Sequence, residues 1–408
     1  MRQDAVQNPI LQFFQLRESA TIPELAASMK LPGSTVVGLV NRLVASGLLY
    51  RSEVRAGRRG RPTQVYRLRM PGLIAACEIE GTRISVAIFD QQLQLLAIEE
   101  KQFLRPSSAR EARQIAERLL QSTVKKSGAR TRDLLVVATS LNAVAIDNRA
   151  ITSSVIPWAQ DHAPLLGELA GVPVQLVINP TIISEYRKLD PQPPSLCLLR
   201  AGDGVSARLI GNGQLMKGSH SLAGELGHIV ADPGGPLCGC GRRGCLETIC
   251  SGPAIQQSAI DGLRQGPRSE LRAEHLCHVS PAIAVDRIFR AWTSGDSFAH
   301  TVMETPLDQL AWAMGIAVNL FDPAMVLCGG YVLAGRKEWI DEIQRRATRW
   351  ILHAGKRRLP VTSACSTTED NLRALASQYH WLTVIDTVPA QRTTRTERSN
   401  RNRRHRSR

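Results

Sequence analysis

The chain has 408 residues, of which 43% are hydrophobic and 21% charged, the composition of a globular protein with roughly two to four domains. The longest apolar run, Leu134 to Ile146, is interrupted by polar residues, and the first twenty residues lack the order of a secretory signal. We therefore expect a cytoplasmic protein that does not insert into membranes. Nine cysteines, an odd number in a long chain, do not indicate a secreted disulfide framework.

The net charge of +15 is concentrated at the two ends of the chain. Residues 1–70 contain 11 Lys and Arg against 4 Asp and Glu, and residues 391–408 contain 8 Arg against 1 Glu, so the body between them is close to neutral. We interpret residues 389–408 as a basic, disordered, solvated tail that can add nonspecific contacts to phosphates. The N-terminal charge is more informative, because it accompanies a structural pattern.

The N-terminal segment predicts a helix-turn-helix. A short apolar helix is predicted at Ile10–Leu16. The next helix begins at Thr21, whose side chain can form a capping box with Glu24, and it continues to Lys30. A break at residues 31–33 then separates it from a third helix by a tight turn, as in DNA-binding helix-turn-helix motifs.

The third helix is the candidate recognition helix. We expect Ser34 to cap it, Ser46 to be its last residue and Gly47 to end it. Its apolar residues are predicted to share one face: Val36, Val37, Val40, Leu43 and Val44. The other face carries small or polar residues that can approach the major groove and contact bases or phosphates: Ser34, Thr35, Gly38, Asn41 and Arg42.

A basic loop follows, between two predicted strands of a wing, Leu48–Arg51 and Tyr66–Arg69. The loop contains Arg59-Gly60-Arg61-Pro62, the core of an AT-hook, in which Gly and Pro keep the backbone thin and extended so that arginines can enter a narrow minor groove. The candidate contacts in this loop are Arg58, Arg59 and Arg61. The partner indicated is double-stranded DNA, and the alternative role of this segment is to grip another protein.

The rest of the chain predicts two α/β lobes with a ligand between them. In the first lobe, a predicted helix and three apolar strands alternate: Leu73–Ile79, Ile84–Phe89, helix Ser108–Lys126 and Leu134–Thr139. A hinge at residues 191–194 precedes strands Leu196–Leu199 and Val205–Ile210. The predicted domains are a winged helix-turn-helix at 1–70, a first lobe at 71–190 completed by about 366–388, a second lobe at 191–365, and the tail at 389–408.

One imidazole and three thiols lie within 18 residues of the second lobe: His228, Cys238, Cys240 and Cys245. They make a full tetrahedral set for zinc, and the glycines between them allow the tight folding that brings three sulfurs to one ion. Because four protein ligands leave no position for water, we expect one structural zinc per chain. The other cysteines have largely apolar surroundings and are interpreted as core residues: Cys77, Cys197, Cys250, Cys277, Cys328 and Cys365.

Further motifs occur in order along the body: Gly202-x-Gly204, Gly224-Glu225-x-Gly227-His228, Cys-x-Cys-x4-Cys-x-Glu at 238–247, Asn319–Pro323 and Gly329-Gly330. With these motifs and the N-terminal segment, the chain resembles the ROK family, which unites sugar-responsive bacterial repressors and sugar kinases, and within it the Mlc- and NagC-like repressors. The resemblance implies a fold like that of actin-like ATPases and sugar kinases. It also implies zinc on the four residues above and a sugar site lined by Glu225, His228 and Glu247.

The chain departs from the kinases of that family at the residues that serve catalysis. Where the kinases have Asp-x-Gly-Gly-Thr, this chain has Glu78-Ile79-Glu80-Gly81-Thr82, and the bulk and charge of Glu80 disfavour ATP. Asn179 takes the place of the catalytic aspartate in the ligand site, and an amide cannot accept the proton of a sugar hydroxyl. The usual Pro-Gly of the first lobe's ligand loop is Asn142-Ala143.

These observations predict a non-catalytic, sugar-responsive transcriptional regulator, a repressor of carbohydrate uptake or utilisation genes. Its effector would be a sugar, a sugar phosphate or a transport protein. The alternatives are a ROK sugar kinase that carries a DNA-binding head and a DNA-binding protein whose ligand pocket is defunct. A homodimer or homotetramer is expected to place two recognition helices about 34–36 Å apart on an operator.

Overall fold

The computed structural model describes most of the chain, namely residue 10 and residues 13–14, 17–55, 63–69, 72–103, 108–141, 144–146, 149–152, 167–177 and 180–387. By its internal contacts the chain divides into two compact units, Met1–Arg69 together with Gln378–Arg408, and Met70–Ser377. Within the described ranges, no helix combines the length and the apolar character that a membrane crossing requires.

The N-terminal segment folds as a helix-turn-helix followed by a two-stranded wing. Helix α1 (Ile22–Met29) leads through a short turn to helix α2 (Gly33–Ala45). Strands β1 (Ala20–Thr21), β2 (Leu49–Arg55) and β3 (Thr63–Leu68) form an antiparallel sheet in the order β1-β3-β2, so the wing strands are longer than predicted. Every element contributes to one core: Ile10, Phe14, Ala20, Leu25, Val36, Val40, Leu43, Leu49 and Tyr66.

The two helices begin in different ways. At α1 the predicted capping box is confirmed, since the backbone N of Thr21 donates to Glu24 Oε2 at 2.7 Å and the backbone N of Glu24 donates to Thr21 Oγ1 at 3.4 Å. The prediction that Ser34 caps α2 is wrong, because the helix begins one residue earlier. Pro32 is its N-cap, and the Pro32 carbonyl accepts from the backbone N of Thr35 at 3.0 Å.

The predicted apolar stripe of α2 faces the core except at one position, with Val44 partly buried. Val36 and Val40 have no exposed surface, and Leu43 is 7% exposed, whereas Val37 is 42% exposed. Successive residues of an α-helix are rotated by about 100°, so the burial of Val36 turns its neighbour away from the core. Val37 therefore belongs to the outer face of α2, and its assignment to the inner face is wrong.

The first sheet of the larger unit has six strands. The strand bounds, with those of a separate two-stranded sheet (β8, β9), are β4 (Leu73–Ile79), β5 (Arg83–Phe89), β6 (Leu95–Gln102), β7 (Leu134–Leu141), β8 (Val144–Ile146), β9 (Arg149–Thr152), β10 (Glu168–Leu169) and β11 (Val172–Leu176). The order is β10-β11-β7-β4-β5-β6, with β7 parallel to both β4 and β11 and the other pairs antiparallel. Helix α3 (Ala109–Lys126) is capped by Ser108 and packs on this sheet through residues spaced four apart, Ala112, Ala116 and Leu120.

The second sheet has five strands, in the order β14-β13-β12-β15-β16. The strands of this sheet and the helices from residue 180 onward are, in chain order, α4 (Pro180–Lys188), β12 (Ser195–Ala201), β13 (Val205–Gly211), β14 (Gln214–Leu215), α5 (Glu247–Cys250), α6 (Gly252–Leu263), α7 (Ala273–Cys277), α8 (Pro281–Thr293), α9 (Ser297–Phe321), β15 (Val326–Gly329), α10 (Lys337–Ala347), β16 (Val361–Ser363) and α11 (Thr368–Thr387). Side chains from the sheet and from α6, α8, α9 and α10 share one continuous core.

The two sheets repeat one arrangement. In each, the first strand is internal, pairs antiparallel with the strand that follows it, and pairs parallel with a later strand. The turn after the first strand is therefore at the same place in both lobes, at residues 80–82 in one and 202–204 in the other. The repeated topology places the motifs Glu80-Gly81-Thr82 and Gly202-Asp203-Gly204 at equivalent ends of two central strands.

Candidate functional site

The outer face of α2 brings together the predicted contacts of the recognition helix. Ser34, Thr35, Asn41 and Arg42 are exposed, and Gly38 is partly exposed. Residues three, four and seven apart lie on the same side of an α-helix, so these positions form one continuous surface. That this surface contacts DNA stays a prediction.

Several predicted site residues lie outside the described part of the chain. These are the wing residues Arg58, Arg59 and Arg61, the ligand residue Asn179, and Asn142-Ala143. The tail at 389–408 also lies outside it, and the predicted helix at Ile10–Leu16 is described only at residues 10, 13 and 14.

The second lobe brings His228, Cys238, Cys240 and Cys245 together, and their ligand atoms all lie within 4.8 Å of one another. The Sγ atoms of Cys240 and Cys245 are 3.6 Å apart, and Cys238 Sγ is 3.7 Å from His228 Nδ1. In a tetrahedral site with Zn–S bonds of about 2.3 Å, neighbouring sulfurs are about 3.8 Å apart. The donor set and its spacing therefore fit a zinc ion.

The loop that carries these ligands needs glycine at two close backbone contacts. Gly244 has φ +66°, and a Cβ there would lie 1.4 Å from the carbonyl oxygen of Asp232. Gly224 has φ +87°, and a Cβ there would lie 1.6 Å from the carbonyl oxygen of Ala207 on β13. Any larger residue would force the backbone apart. Gly244 therefore allows the loop to pack closely against its own backbone at Asp232. Gly224 allows it to pack closely against strand β13.

The thiols differ in how readily they ionise. Burial raises the pKa of Cys238 to about 12. Burial also acts to raise the pKa of Cys240, but hydrogen bonds from the backbone and side chain of Arg242 and from the neighbouring thiols outweigh it and lower the pKa to about 6. Cys240 can therefore be a thiolate at neutral pH, while Cys238 would need a nearby cation to lose its proton.

The predicted sugar-site carboxylates are both held by strand β13. The backbone N of Val205 donates to Glu247 Oε2 at 3.0 Å, and Arg208 Nη2 donates to Glu225 Oε1 at 2.9 Å. The second oxygen of Glu225 lies 3.9 Å from His228 Nε2, the ring nitrogen that does not face the thiols. His228 can therefore serve a metal with Nδ1 while Nε2 lies on the side of Glu225, at a distance longer than a hydrogen bond.

An ion pair joins the two lobes at the turns that follow their first strands. Glu80 accepts from Arg200 Nη2 at 3.0 Å and pairs with Arg83 Nη2 at 2.9 Å. Glu80 takes the position of the first glycine in the kinases' Asp-x-Gly-Gly-Thr pattern. Its carboxylate already pairs with the two arginines that a nucleotide phosphate would otherwise contact there. At this point the two lobes are joined by the protein's own charges.

Glu78, next to this pair, is buried at 7% exposure, and its pKa is raised to about 7 by burial and by the charge of Glu80, against the attraction of Arg83 and Arg200. Between pH 4.5 and 7 the unfolded chain loses the Glu78 proton while the folded chain keeps it, so the folded state loses stability as the pH rises.

We expect Glu78→Gln to raise the melting temperature of the full-length protein more at pH 8 than at pH 5. Glu100→Gln, which removes an exposed carboxylate 3.6 Å from Arg83, is the matched control.

The carboxylates nearest to Asn179 in sequence are placed elsewhere. Glu185 is buried, and its Oε1 accepts from the backbone N of Cys365 at 2.8 Å and from the backbone N of Ser366. Glu168 is exposed on the short edge strand β10. Glu185 thus links α4 to the segment before α11 through hydrogen bonds. Because these bonds stabilise its carboxylate, they do not favour a role as a general base.

The cysteines outside the cluster are not all core residues. Cys77, Cys197, Cys250 and Cys328 are buried, as predicted. Cys277 and Cys365 are exposed, so their assignment to the core is wrong. Cys277 ends the short helix α7, and Cys365 follows the edge strand β16, where its backbone N contacts Glu185 of α4 while the residue stays exposed.

Sequence reasoning missed three residues of these sites. Arg200 and Arg208 lie on strands of the second lobe, and only the folded chain brings them to Glu80 and Glu225. Val37 lies on the outer face of α2, and the alternation of Val36 with Val37 in a helical segment was a signal that one of the pair must face outward.

Comparison with known proteins matches both parts of this architecture. The profile described as ROK family matches residues 74–373, and the profile described as MarR family matches residues 6–60. A solved ROK family transcriptional regulator, described as a homolog of the E. coli MLC protein, superposes with a TM-score of 0.68 and 20% identity over 94% of this chain and 100% of that one. The predicted fold class, a winged helix-turn-helix plus a two-lobed ROK domain, is confirmed.

Curated relatives include both regulators and kinases. The DNA-binding transcriptional dual regulator NagC of Escherichia coli K12 is 33% identical over 164 residues, which are 40% of this chain and 39% of NagC. The glucokinase of Thermotoga maritima is 34% identical over 155 residues, which are 38% of this chain and 48% of the glucokinase. The match thus spans less than half the length of these relatives, and regulation and phosphotransfer must be separated on the residues themselves.

Proposed function

The chain belongs to the ROK family, and from this premise we propose that it is a sugar-responsive transcriptional regulator that represses genes of carbohydrate uptake or utilisation. The N-terminal segment binds double-stranded operator DNA. The two-lobed body binds a sugar, a sugar phosphate or a transport protein, and this binding changes the affinity for DNA. The protein acts in the cytoplasm as a homodimer or homotetramer.

The outer face of α2 is the observation that carries this proposal. Its exposed Ser34, Thr35, Asn41 and Arg42 stand on a helix that a capped partner helix and a buried core hold in place. The face has little bulk, which allows the helix to approach base edges, and the net positive charge of residues 1–70 attracts phosphates. Phosphotransfer to a sugar requires no such surface.

We further propose that His228, Cys238, Cys240 and Cys245 hold one structural zinc. Bound zinc would cross-link the loop between residues 228 and 245, which otherwise depends on backbone hydrogen bonds and close glycine contacts. Zinc thereby fixes the orientation of the His228 ring. The other ring nitrogen would then line the effector site together with Glu225 and Glu247, whose carboxylates are oriented by Arg208 and Val205.

Effector binding can reach the rest of the body through β13. This strand binds Glu247 at Val205 and Glu225 at Arg208. A sugar that hydrogen-bonds to both carboxylates would therefore act on β13 at two points. The ion pair between Glu80 and Arg200 joins the lobes close by, since Arg200 on β12 is paired with Ser206, the neighbour of Val205. A ligand changes DNA affinity only if it binds the two states of the protein with different free energies, so we expect the separation of the lobes to differ between them.

Genomic footprinting of the full-length protein is the experiment that tests this proposal. We expect a limited set of bound sites with a shared, pseudo-palindromic sequence, next to genes of carbohydrate metabolism, and loss of occupancy when the matching sugar is supplied. Occupancy without sequence preference, or a set of sites that no sugar alters, would contradict it.

The kinase alternative predicts ATP turnover. The ion pairs of Glu80 with Arg83 and Arg200 disfavour it, because Glu80 takes the position of a nucleotide phosphate and already pairs with both arginines. We expect the purified protein to consume no ATP with a panel of hexoses and amino sugars, at a sensitivity of about one turnover per hour, far below the roughly 10 per second typical of enzymes. A sugar-dependent rate above background would restore the kinase function.

A further inference from the structure

The outer face of α2 contains one feature that polar DNA contacts do not explain, the exposed side chain of Val37. Within the described part of the N-terminal segment, only Leu31 and Val37 are large hydrophobic residues with substantial exposure, at 36% and 42%. Leu31 lies in the turn between the helices, whereas Val37 lies on α2 itself, at the edge of its outer face. Ser34 and Asn41 are three and four residues away, so both are neighbours of Val37 on the helix surface.

Gly38 follows Val37 and has no structural requirement for glycine. A Cβ at Gly38 would meet nothing within 4 Å, and its backbone is helical with no positive φ. Glycine inside a helix lowers helix stability relative to alanine, so the fold gains nothing from it. The absence of a side chain at Gly38 leaves open space in the outer face of α2, which allows the helix to come closer to a partner.

We propose that Val37 is a specificity-determining residue that contacts the C5-methyl group of a thymine in the major groove, with Gly38 providing the clearance for the contact. The inference rests on the proposed function, since it requires α2 to enter DNA. Among the base edges of the major groove, the thymine methyl is the apolar group, and the others present hydrogen-bond donors and acceptors. A valine against a polar edge would leave that edge without a partner, so the side chain discriminates in favour of thymine.

A double-mutant cycle between protein and DNA tests the contact. Full-length protein first selects its preferred duplex from a random pool, and each thymine of that duplex is then replaced in turn by uracil, which lacks only the methyl group. For the unmodified protein we expect one thymine in each half-site at which uracil weakens binding about four-fold, the equivalent of about 0.8 kcal/mol for one buried methyl. For Val37→Ala, uracil at that thymine should have no effect.

Leu31→Ala is the matched control, because it also shortens an exposed apolar side chain of the same segment but lies outside α2. It should keep the full sensitivity to uracil. Gly38→Ala provides an independent variant that cannot fail by unfolding: we expect it to melt at an equal or higher temperature and yet to bind the selected duplex at least about five-fold more weakly, since a methyl group fills the clearance.

The outcomes separate this inference from the proposed function. If the protein selects a duplex, but uracil has the same effect with valine or alanine at position 37, or no thymine is sensitive, Val37 does not read a methyl group and the inference is overturned. If Val37→Ala leaves DNA binding unchanged and instead abolishes binding to another protein, the face serves a protein partner, which also overturns it. If no duplex is selected at all, the proposed function itself fails.

Discussion

Replacing Cys240 by serine is expected to abolish stoichiometric zinc binding and the response to sugar together. Cys240 is the thiol whose pKa of about 6 makes it a thiolate at neutral pH, and it lies 3.6 Å from Cys245. Losing one of four ligands should weaken zinc binding by more than the roughly 10–100-fold that changes beyond the ligands cause. Zinc content by elemental analysis, and DNA affinity with and without sugar, are the two measurements.

Cys277→Ser is the matched control for this variant, because Cys277 is an exposed thiol outside the cluster. It should retain about one zinc per chain and the full response to sugar. A Cys240→Ser protein that loses zinc and still responds to sugar would show that the metal does not link the ligand site to DNA affinity. A Cys240→Ser protein that keeps one zinc per chain would show that other residues hold the ion.

Replacing Asn41 or Arg42 by alanine is expected to reduce affinity for the selected duplex by about 5- to 150-fold, corresponding to about 1–3 kcal/mol per specific contact. The two losses should differ in kind. If Asn41 bonds a base edge, its loss relaxes the sequence preference at one position. If Arg42 bonds a phosphate, its loss weakens all duplexes alike and lowers the slope of log affinity against log salt by about one.

Arg290→Ala removes the same charge from a side chain that is 79% exposed on α8 of the body, and it should leave both affinity and salt slope unchanged. The side chains of Asn41 and Arg42 are both exposed, so neither alanine substitution should lower the stability of the protein. Unchanged DNA affinity in both variants would remove α2 from the DNA interface.

Local patterns allowed much of this protein to be predicted from its sequence. The capping box depends on residues three apart, and the four candidate metal ligands lie within 18 residues of one another, so the spacing along the chain already encodes the geometry. The alternation of strands and helices likewise predicted an α/β body. The motifs around Gly224 and Gly244 mark contacts in which only glycine fits, and such positions are visible in a sequence before their partners are known.

The remaining features depend on long-range contacts or on small rotations. Glu80 and Arg200 are 120 positions apart, and nothing in either local sequence pairs them. The exposure of Val37 depends on which neighbour the core selects, and Ser34 does not cap because the N-cap lies two residues earlier, at Pro32. Cys277 and Cys365 were predicted to be buried, but the fold leaves both of them exposed.

The most direct test of the account measures DNA binding and phosphotransfer on the same purified sample. Fluorescence anisotropy of the labelled, selected duplex at about 0.1 M salt, with unlabelled random duplex as competitor, should give tight and sequence-specific binding, with a dissociation constant of about 10⁻⁸ M or lower. The same sample should consume no ATP with any sugar of the panel. Phosphorylation of a hexose by a sample that does not bind the duplex would contradict the account.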